Sequence, residues 1–321
     1  MPMNNIKKLI PNLRFPEFEN DGEWKVVKLG DIAQFFKGKG ISKAEVSNTG
    51  TTPCIRYGEL YTYYKEVVRD IKSYTNIPTD NLVLSKANDV IIPSSGETKE
   101  DISTASCIIE DGIALGGDIN IIRSSANGIF LSYYLNNAKK NDIAKIAQGI
   151  SIIHLYNEQL QNLSVTIPFL PEQQKIASFI VSLDELISAH KKRLEALKAH
   201  KKSLMQQLFP ANGEKTPKLR FPEFKNDGEW NFANGDILFK PIVNKQHNSD
   251  LPVLAITQEQ GAVPREMIDY NVIVSDKSIE NYKIVEIGDF IISLRSFQGG
   301  IEYSHYKGLC SSAYIVLRRT N

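Results

Sequence analysis

"PNLRFPEFENDGEW" occupies Pro11–Trp24, and "PKLRFPEFKNDGEW" occupies Pro217–Trp230. Twelve of the fourteen positions are identical at an offset of 206, and only Asn12/Lys218 and Glu19/Lys225 differ. Chance does not produce such a match. A copied linker would leave the flanking sequence unrelated, whereas weaker echoes follow both copies in the same order. The repeat therefore reads as the duplication of a whole domain.

Those echoes are patterns. "LGDIAQFF" (29–36) returns as "NGDILFKP" (234–241), and "ANDVIIPSSGETKEDI" (87–102) as "IGDFIISLRSFQGGIE" (287–302). "ALGGDINIIRS" (114–124) returns as "GLCSSAYIVLRR" (308–319). Gly or Asn followed by Asp, an apolar β-branched run and a polar Gly loop spell strand, loop, strand. Each repeat is expected to open as a β-rich domain with exposed polar loops. Residues from about Leu131 to Asn212 have no second copy, so roughly 90 residues of a full second repeat are expected to be absent.

A chain of 321 residues allows two domains of about 100–200 residues each. With 42% hydrophobic and 23% charged residues, a disordered or fibrous chain is excluded. A net charge of +1 names no partner, so local charge has to be read. Cys54, Cys107 and Cys310 lack CxxC spacing, which argues against a disulfide framework or zinc site and fits a reducing cytosol. The five histidines form no metal-type spacing. The N-terminus lacks a signal-peptide apolar region, and no run reaches the roughly 18 apolar residues that span a membrane. A cytoplasmic protein without membrane contact is expected.

Between the repeats runs a helical pattern. Ile176, Ile180, Leu183, Ile187, His190, Leu194, Leu197, Lys201, Leu204 and Leu208 alternate in steps of four and three over 33 residues, an unbroken heptad seam. Pro168 and Pro171 close the preceding segment, and Pro171 and Glu172 suit a helix start. Pro210 and Gly213 mark its end. The rod would be about 50 Å long. Its seam is narrow, as in a helix that packs against another helix. His190 and Lys201 interrupt it, as residues that set register do, or as a stem that lies along the seam with its head in water. "HKKRLEALKAHKK" (190–202) carries six basic residues against one glutamate, a solvated face or a phosphate contact.

The doubled "LRFPEF…GEW", the stretch "LPEQQKIASFIVSLDELI" (170–187) leading into the helix, "KKSLMQQLFP" (201–210) and "LRSFQGG" (294–300) together resemble the specificity subunit of type I restriction-modification systems. The resemblance implies an α+β fold: two β-rich target-recognition domains separated by a long coiled-coil helix, the second repeat C-terminally incomplete. The expected division is 1–167 for the first recognition domain, 168–212 for the spacer helix and 213–321 for the second domain. It implies double-stranded DNA as ligand, with each domain reading one half of a split site. The helix would set the gap, dock methyltransferase (modification) subunits and permit self-association. No catalysis and no cofactor are expected on this chain. S-adenosylmethionine would act on the modification subunit, and ATP on the restriction subunit. Two other readings stay open: a coiled-coil scaffold with protein-binding β-rich modules, and a non-functional truncated specificity subunit.

DNA reading needs polar side chains on loops, with basic groups and amides for phosphate. "FKGKGISK" (36–43) offers Lys37, Lys39 and Lys43, with glycines that let backbone approach phosphate. "CIRYGEL" (54–60) offers Arg56 and Tyr57 just past a strand. "IPSSGETKED" (92–101) offers Ser94, Ser95, Thr98 and Lys99. "AQGISIIHL" (147–155) offers Gln148 and Ser151 before the domain's final strand. In the second repeat "LRSFQGGI" (294–301) offers Arg295, Ser296 and Gln298. Methyltransferase loops and a phosphate-binding G-x-x-x-x-G-K-[ST] motif are not found. Asp70 and Lys72 have nuclease-like D-x-K spacing without a convincing acidic partner.

Overall fold

Two turns built alike begin the two halves' central strands. Lys86–Asp89 and Glu286–Asp289 each close with the aspartate amide donating to the first carbonyl, at 3.0 and 3.1 Å. The third position carries a positive φ, +78° at Asn88 and +93° at Gly288, which Asn and Gly tolerate. Each aspartate carboxylate then accepts the amide of the turn's first residue at 2.8 Å. It also pairs bidentately with an arginine on the neighbouring strand. Arg123 lies 2.8 and 2.7 Å from Asp89, and Arg318 lies 2.7 Å twice from Asp289. Both aspartate side chains are 1% exposed. A buried carboxylate is tolerated because three donors converge on it.

The computed structural model describes residues 9–248, 250–258, 260–268, 279–293 and 300–320. The chain divides into two compact units, residues 1–197 and 198–321.

In the first unit a five-stranded sheet runs in the order Ala33–Lys37, Ile119–Ser124, Val90–Pro93, Ser106–Ile108, Val67–Val68. A four-stranded sheet joins Ala114–Leu115, Thr52–Ile55, Ser73–Thr75 and Val46–Ser47. Val90, Ile92 and Ile122 lie in one core with Leu131, Leu135 and Leu160, while Ile91 and Ile121 lie in a second with Ile55, Leu60 and Leu115. The alternation of a strand places neighbours on opposite faces, so this sheet is buried on both. Helices Gly128–Asn137 and Lys140–Ile146 cover the first face. Lys25–Lys28 pairs antiparallel with Ser164–Ile167, so the domain's first and last strands lie side by side.

The second unit repeats the centre of this plan. Its four-stranded sheet runs Phe239–Ile242, Ile315–Arg319, Phe290–Ile292, Ile301–Tyr303. Val316 lies between Ile242 and Ile291, as Ile121 lies between Phe36 and Ile91. Leu254, Val285, Ile291, Cys310 and Val316 form its core.

The spacer helix spans Leu170–Leu208, 39 residues, or about 58 Å. In the first unit Glu172 accepts Arg14 at 2.9 and 2.7 Å and Trp24 Nε1 at 3.3 Å. Gln173 accepts the Asn127 amide at 2.9 Å, Tyr133 donates to Asp184, and Arg69 meets Glu185 at 2.8 Å. Ile176 and Ile180 are half-buried here. Farther along, Leu183, Ile187, Leu194 and Leu197 are 43–55% exposed. His190 and Lys201 are exposed with them, and Leu204 and Leu208 are half-buried. The middle of the seam is thus an apolar stripe open to solvent. No described helix is long and apolar enough to cross a membrane.

All three thiols are buried. Burial pushes Cys54 up to about 11 and Cys107 and Cys310 up to about 12. A thiolate is the reactive form. A thiol reagent at pH 8 should therefore label none of them in the folded chain and all three in denaturant. Rapid labelling of the native chain would contradict the packing described.

Candidate nucleic-acid interface

Two clefts lie side by side on the first unit and share Asp118. One, of about 520 Å3, is lined by Lys37, Ser94, Ser95, Asp118, His154 and Asn157. The other, of about 390 Å3, is lined by Ser42, Arg56, Tyr57, Gly116, Gly117 and Asp118. Five candidates from separate stretches, Lys37, Arg56, Tyr57, Ser94 and Ser95, are thus brought together around one aspartate.

Local chemistry explains why they converge. Lys37 ends the strand Ala33–Lys37. The next residue, Gly38, lets the chain cross the 115–116 backbone, where a Cβ would lie 2.0 Å from the Gly116 carbonyl oxygen. Gly40 is open, with nothing within 4 Å of its Cβ position. Arg56 stands before the helix Tyr57–Thr62, and its amide donates to Glu59 Oε2 at 2.8 Å. Glu59 is itself buried and accepts the Ser73 hydroxyl. That buried acid fixes the backbone that carries Arg56.

Ser95 lies on a two-residue strand, Ser95–Gly96, paired with Ile153–His154. Its Oγ is 3.2 Å from His154 Nδ1 and 3.4 Å from Asp118 Oδ1. Ser94 Oγ, Asn157 Oδ1 and Arg56 Nε are buried at these clefts without a protein hydrogen-bond partner. Buried polar atoms are ordinarily satisfied, so these three stand out at the clefts.

The same pairing places the 148–152 hairpin tip beside the first cleft. Gln148 and His154 exchange backbone hydrogen bonds of 2.9 and 2.6 Å. Gln148 and Ser151 are exposed, and between them Ile150 is 98% exposed. This stretch precedes a short strand that is not the domain's last, because the helix Asn157–Gln161 and the strand Ser164–Ile167 follow.

Other candidates stand differently. Thr98 accepts the Asp101 amide at 3.1 Å and caps the helix Lys99–Ile102, so its hydroxyl already has a structural task. Lys39, Lys43 and Lys99 are exposed but line neither cleft. Arg295, Ser296 and Gln298 lie outside the described residues. Asp118, His154 and Asn157 were missed by sequence reading. The one available signal was the Gly-Gly-Asp run at 116–118, whose glycines hold the loop close. Among the described residues no cluster could hold a metal ion.

The sequence pattern of the type I restriction modification DNA specificity domain matches residues 21–199. The type I restriction enzyme MjaVIII specificity subunit of Methanocaldococcus jannaschii is 25% identical over 214 residues, covering 64% of this chain and 45% of that protein. The putative MjaX specificity subunit of the same organism is 26% identical, covering 61% and 48%. The chain thus matches about half the length of these curated relatives. The solved type I restriction-modification S subunit from M. genitalium shares the fold at a TM-score of 0.54 and 12% identity, covering 98% of this chain and 75% of that one. With the doubled β-rich core, the long helix and this match over more than half its length, the chain belongs to the type I restriction-modification DNA specificity family.

Proposed function

We propose that this chain is the non-catalytic DNA-recognition subunit of a type I restriction-modification complex. The observation that carries this is the convergence of Lys37, Arg56, Ser94, Ser95 and Asp118 on paired clefts, beside a hairpin tip, in a domain whose core is built twice. Residues 1–167 and 213–321 act as recognition domains, each reading half of a split duplex site. Residues 168–212 set the gap between half-sites. Two such readers multiply discrimination, since a mismatched pair costs roughly 1–3 kcal/mol.

The role of each residue follows from its chemistry. Arg56 suits guanine, and Gln148 suits adenine. Asp118 accepts from cytosine, and Ile150 offers an apolar contact to a thymine methyl. Lys37, Lys39, Lys43 and Lys99 supply phosphate contacts, and Tyr57, Ser151, Arg295, Ser296 and Gln298 complete the reading set. Methyltransferase subunits dock on the solvent-open stripe of the spacer helix, and self-association uses the same stripe. S-adenosylmethionine and ATP act on the partner subunits. The complex works in the cytoplasm.

The test is duplex binding by the complex with its methyltransferase across a salt series. Binding should fall steeply with salt and prefer one split sequence. Lys37→Ala and Lys39→Ala should each reduce the salt slope by about 0.9 and leave base preference unchanged. Arg56→Ala should relax preference at one position. Binding flat with salt and indifferent to sequence would favour a protein-binding scaffold. Mapping methylated motifs in cells with and without the chain supplies the target.

A further inference from the structure

The larger of the two clefts on the first unit is built for more than a phosphate. Asp118 and Glu158 line it against one lysine, Lys37. That balance disfavours an anion inside the cleft and favours groups that donate hydrogen bonds. Its volume of about 520 Å3 falls within the roughly 300–1,000 Å3 of small-ligand sites.

One wall is aromatic. His154 and Tyr156 both line the cleft, and their rings stack with centroids 6.2 Å apart and planes 23° from parallel. The backbone beneath them is tied to three other stretches of chain. The Leu155 amide donates to the Ser94 carbonyl at 3.0 Å. Asn120 Nδ2 donates to the Leu155 carbonyl at 2.8 Å, and Asn157 Nδ2 to the Phe36 carbonyl at 3.2 Å. Rings on so fixed a backbone make a preorganised platform for the face of a base.

The acid is linked to that platform. A carboxylate only accepts, so Ser95 Oγ donates to Asp118 and takes its own hydrogen bond from His154 Nδ1. Ser95 occupies one oxygen of Asp118, and a carboxylate accepts at both. Beside the cleft, the hairpin tip shows Ile150 and Ile152 to solvent. Gly149, at φ +124°, closes this tip, and a Cβ there would lie 2.0 Å from the Ile152 carbonyl oxygen. Apolar side chains held out in this way unstack the base steps they enter.

We infer that this cleft takes a single base out of its stack, one that carries an exocyclic amino group. The base lies on Tyr156 and its amino group donates to Asp118. Lys37 meets the adjoining phosphate, and Ile150 and Ile152 fill the opened step. As a step in duplex recognition this rests on the proposed function, but binding of the base itself is measurable without a duplex.

The experiment titrates the full chain with 2′-deoxyadenosine and 2′-deoxycytidine, each against the analogue that lacks the amino group, and reads binding by calorimetry. Each nucleoside should bind at least about fivefold more tightly than its analogue. Asp118→Ala should close that difference. Tyr156→Ala should weaken every nucleoside about tenfold, and Tyr156→Phe should bind as the parent does. Both side chains are exposed, so these variants should fold. A short oligodeoxyadenylate that binds more tightly than deoxyadenosine assigns the base to a DNA strand. No gain on the oligomer assigns it to a free nucleoside, and either result keeps the base site. Saturable binding of neither nucleosides nor oligomer, equal affinity for the analogues, or indifference to Tyr156→Ala would overturn the inference. Any of these beside steep, sequence-selective duplex binding leaves the DNA reading standing. Nucleoside selectivity without duplex binding does the reverse.

Discussion

Asp89→Ala should destabilise the first unit by about 3 kcal/mol, because it strands a guanidinium whose two donors are committed to one carboxylate. Arg123 is 28% exposed, so water recovers part of the loss and the effect falls at the low end for a broken buried pair. The turn also loses the acceptor for the Lys86 amide. Asp289→Ala should cost the second unit somewhat less, about 2 kcal/mol, because Arg318 is 36% exposed and water screens the pair more. Denaturant unfolding followed by hydrogen exchange resolves the two units. Midpoints equal to the parent's in both would refute a stabilising role for these turns. The comparison also tests the duplication energetically, since the same substitution is made twice in one molecule at equivalent places.

Gly38→Ala should be the most damaging single-methyl addition at the clefts. The new Cβ would lie 2.0 Å from the Gly116 carbonyl oxygen and 2.6 Å from that of Leu115. Neither can retreat cheaply. Gly38 donates to Ile119 at 2.9 Å, Lys39 to Leu115 at 3.0 Å, and Gly116 to Ile55 at 2.9 Å. Forced overpacking costs about 1–3 kcal/mol, a fall in Tm of roughly 4–8 °C for a unit of this size at the middle of that range. The loop carrying Lys37 and Lys39 would shift with it, so DNA binding by the complex should weaken too. Gly40→Ala, two residues on, meets nothing within 4 Å and should change neither. Equal melting of the two variants would contradict the crossing geometry. Gly38 thus meets a packing need, separate from any approach of backbone to phosphate.

The strand cores and the spacer helix were legible in the sequence because their periods are local. The Gly/Asn-Asp turns were legible for the same reason, since the left-handed position and the aspartate cap lie within four residues. The heptad seam located the helix, which begins and ends two and four residues inside the expected bounds, at Leu170 and Leu208. The clefts were legible only in part. Lys37, Arg56 and Ser95 were chosen for their residue types, but nothing local brings them to Asp118, 81, 62 and 23 positions on. Thr98 looked like a reader because a hydroxyl in a polar loop and a helix cap are the same residue type. The Asp101 amide 3.1 Å away shows that this hydroxyl is also a cap. The Arg14–Glu172 grip spans 158 residues, and no spacing rule reaches so far.

The pairing of Lys25–Lys28 with Ser164–Ile167 has an evolutionary meaning. A segment whose two ends are neighbours can be cut out and replaced without moving the frame that holds it. Everything between Leu29 and Leu163 is bracketed by this one strand pair. Near-identical text at 11–24 and 217–230 marks a matching left-hand border for each half. Exchange between these borders would transplant one set of loops into the place of another while the two-strand frame of the first half stayed intact. On the proposed DNA reading, such an exchange would change the sequence read in one step.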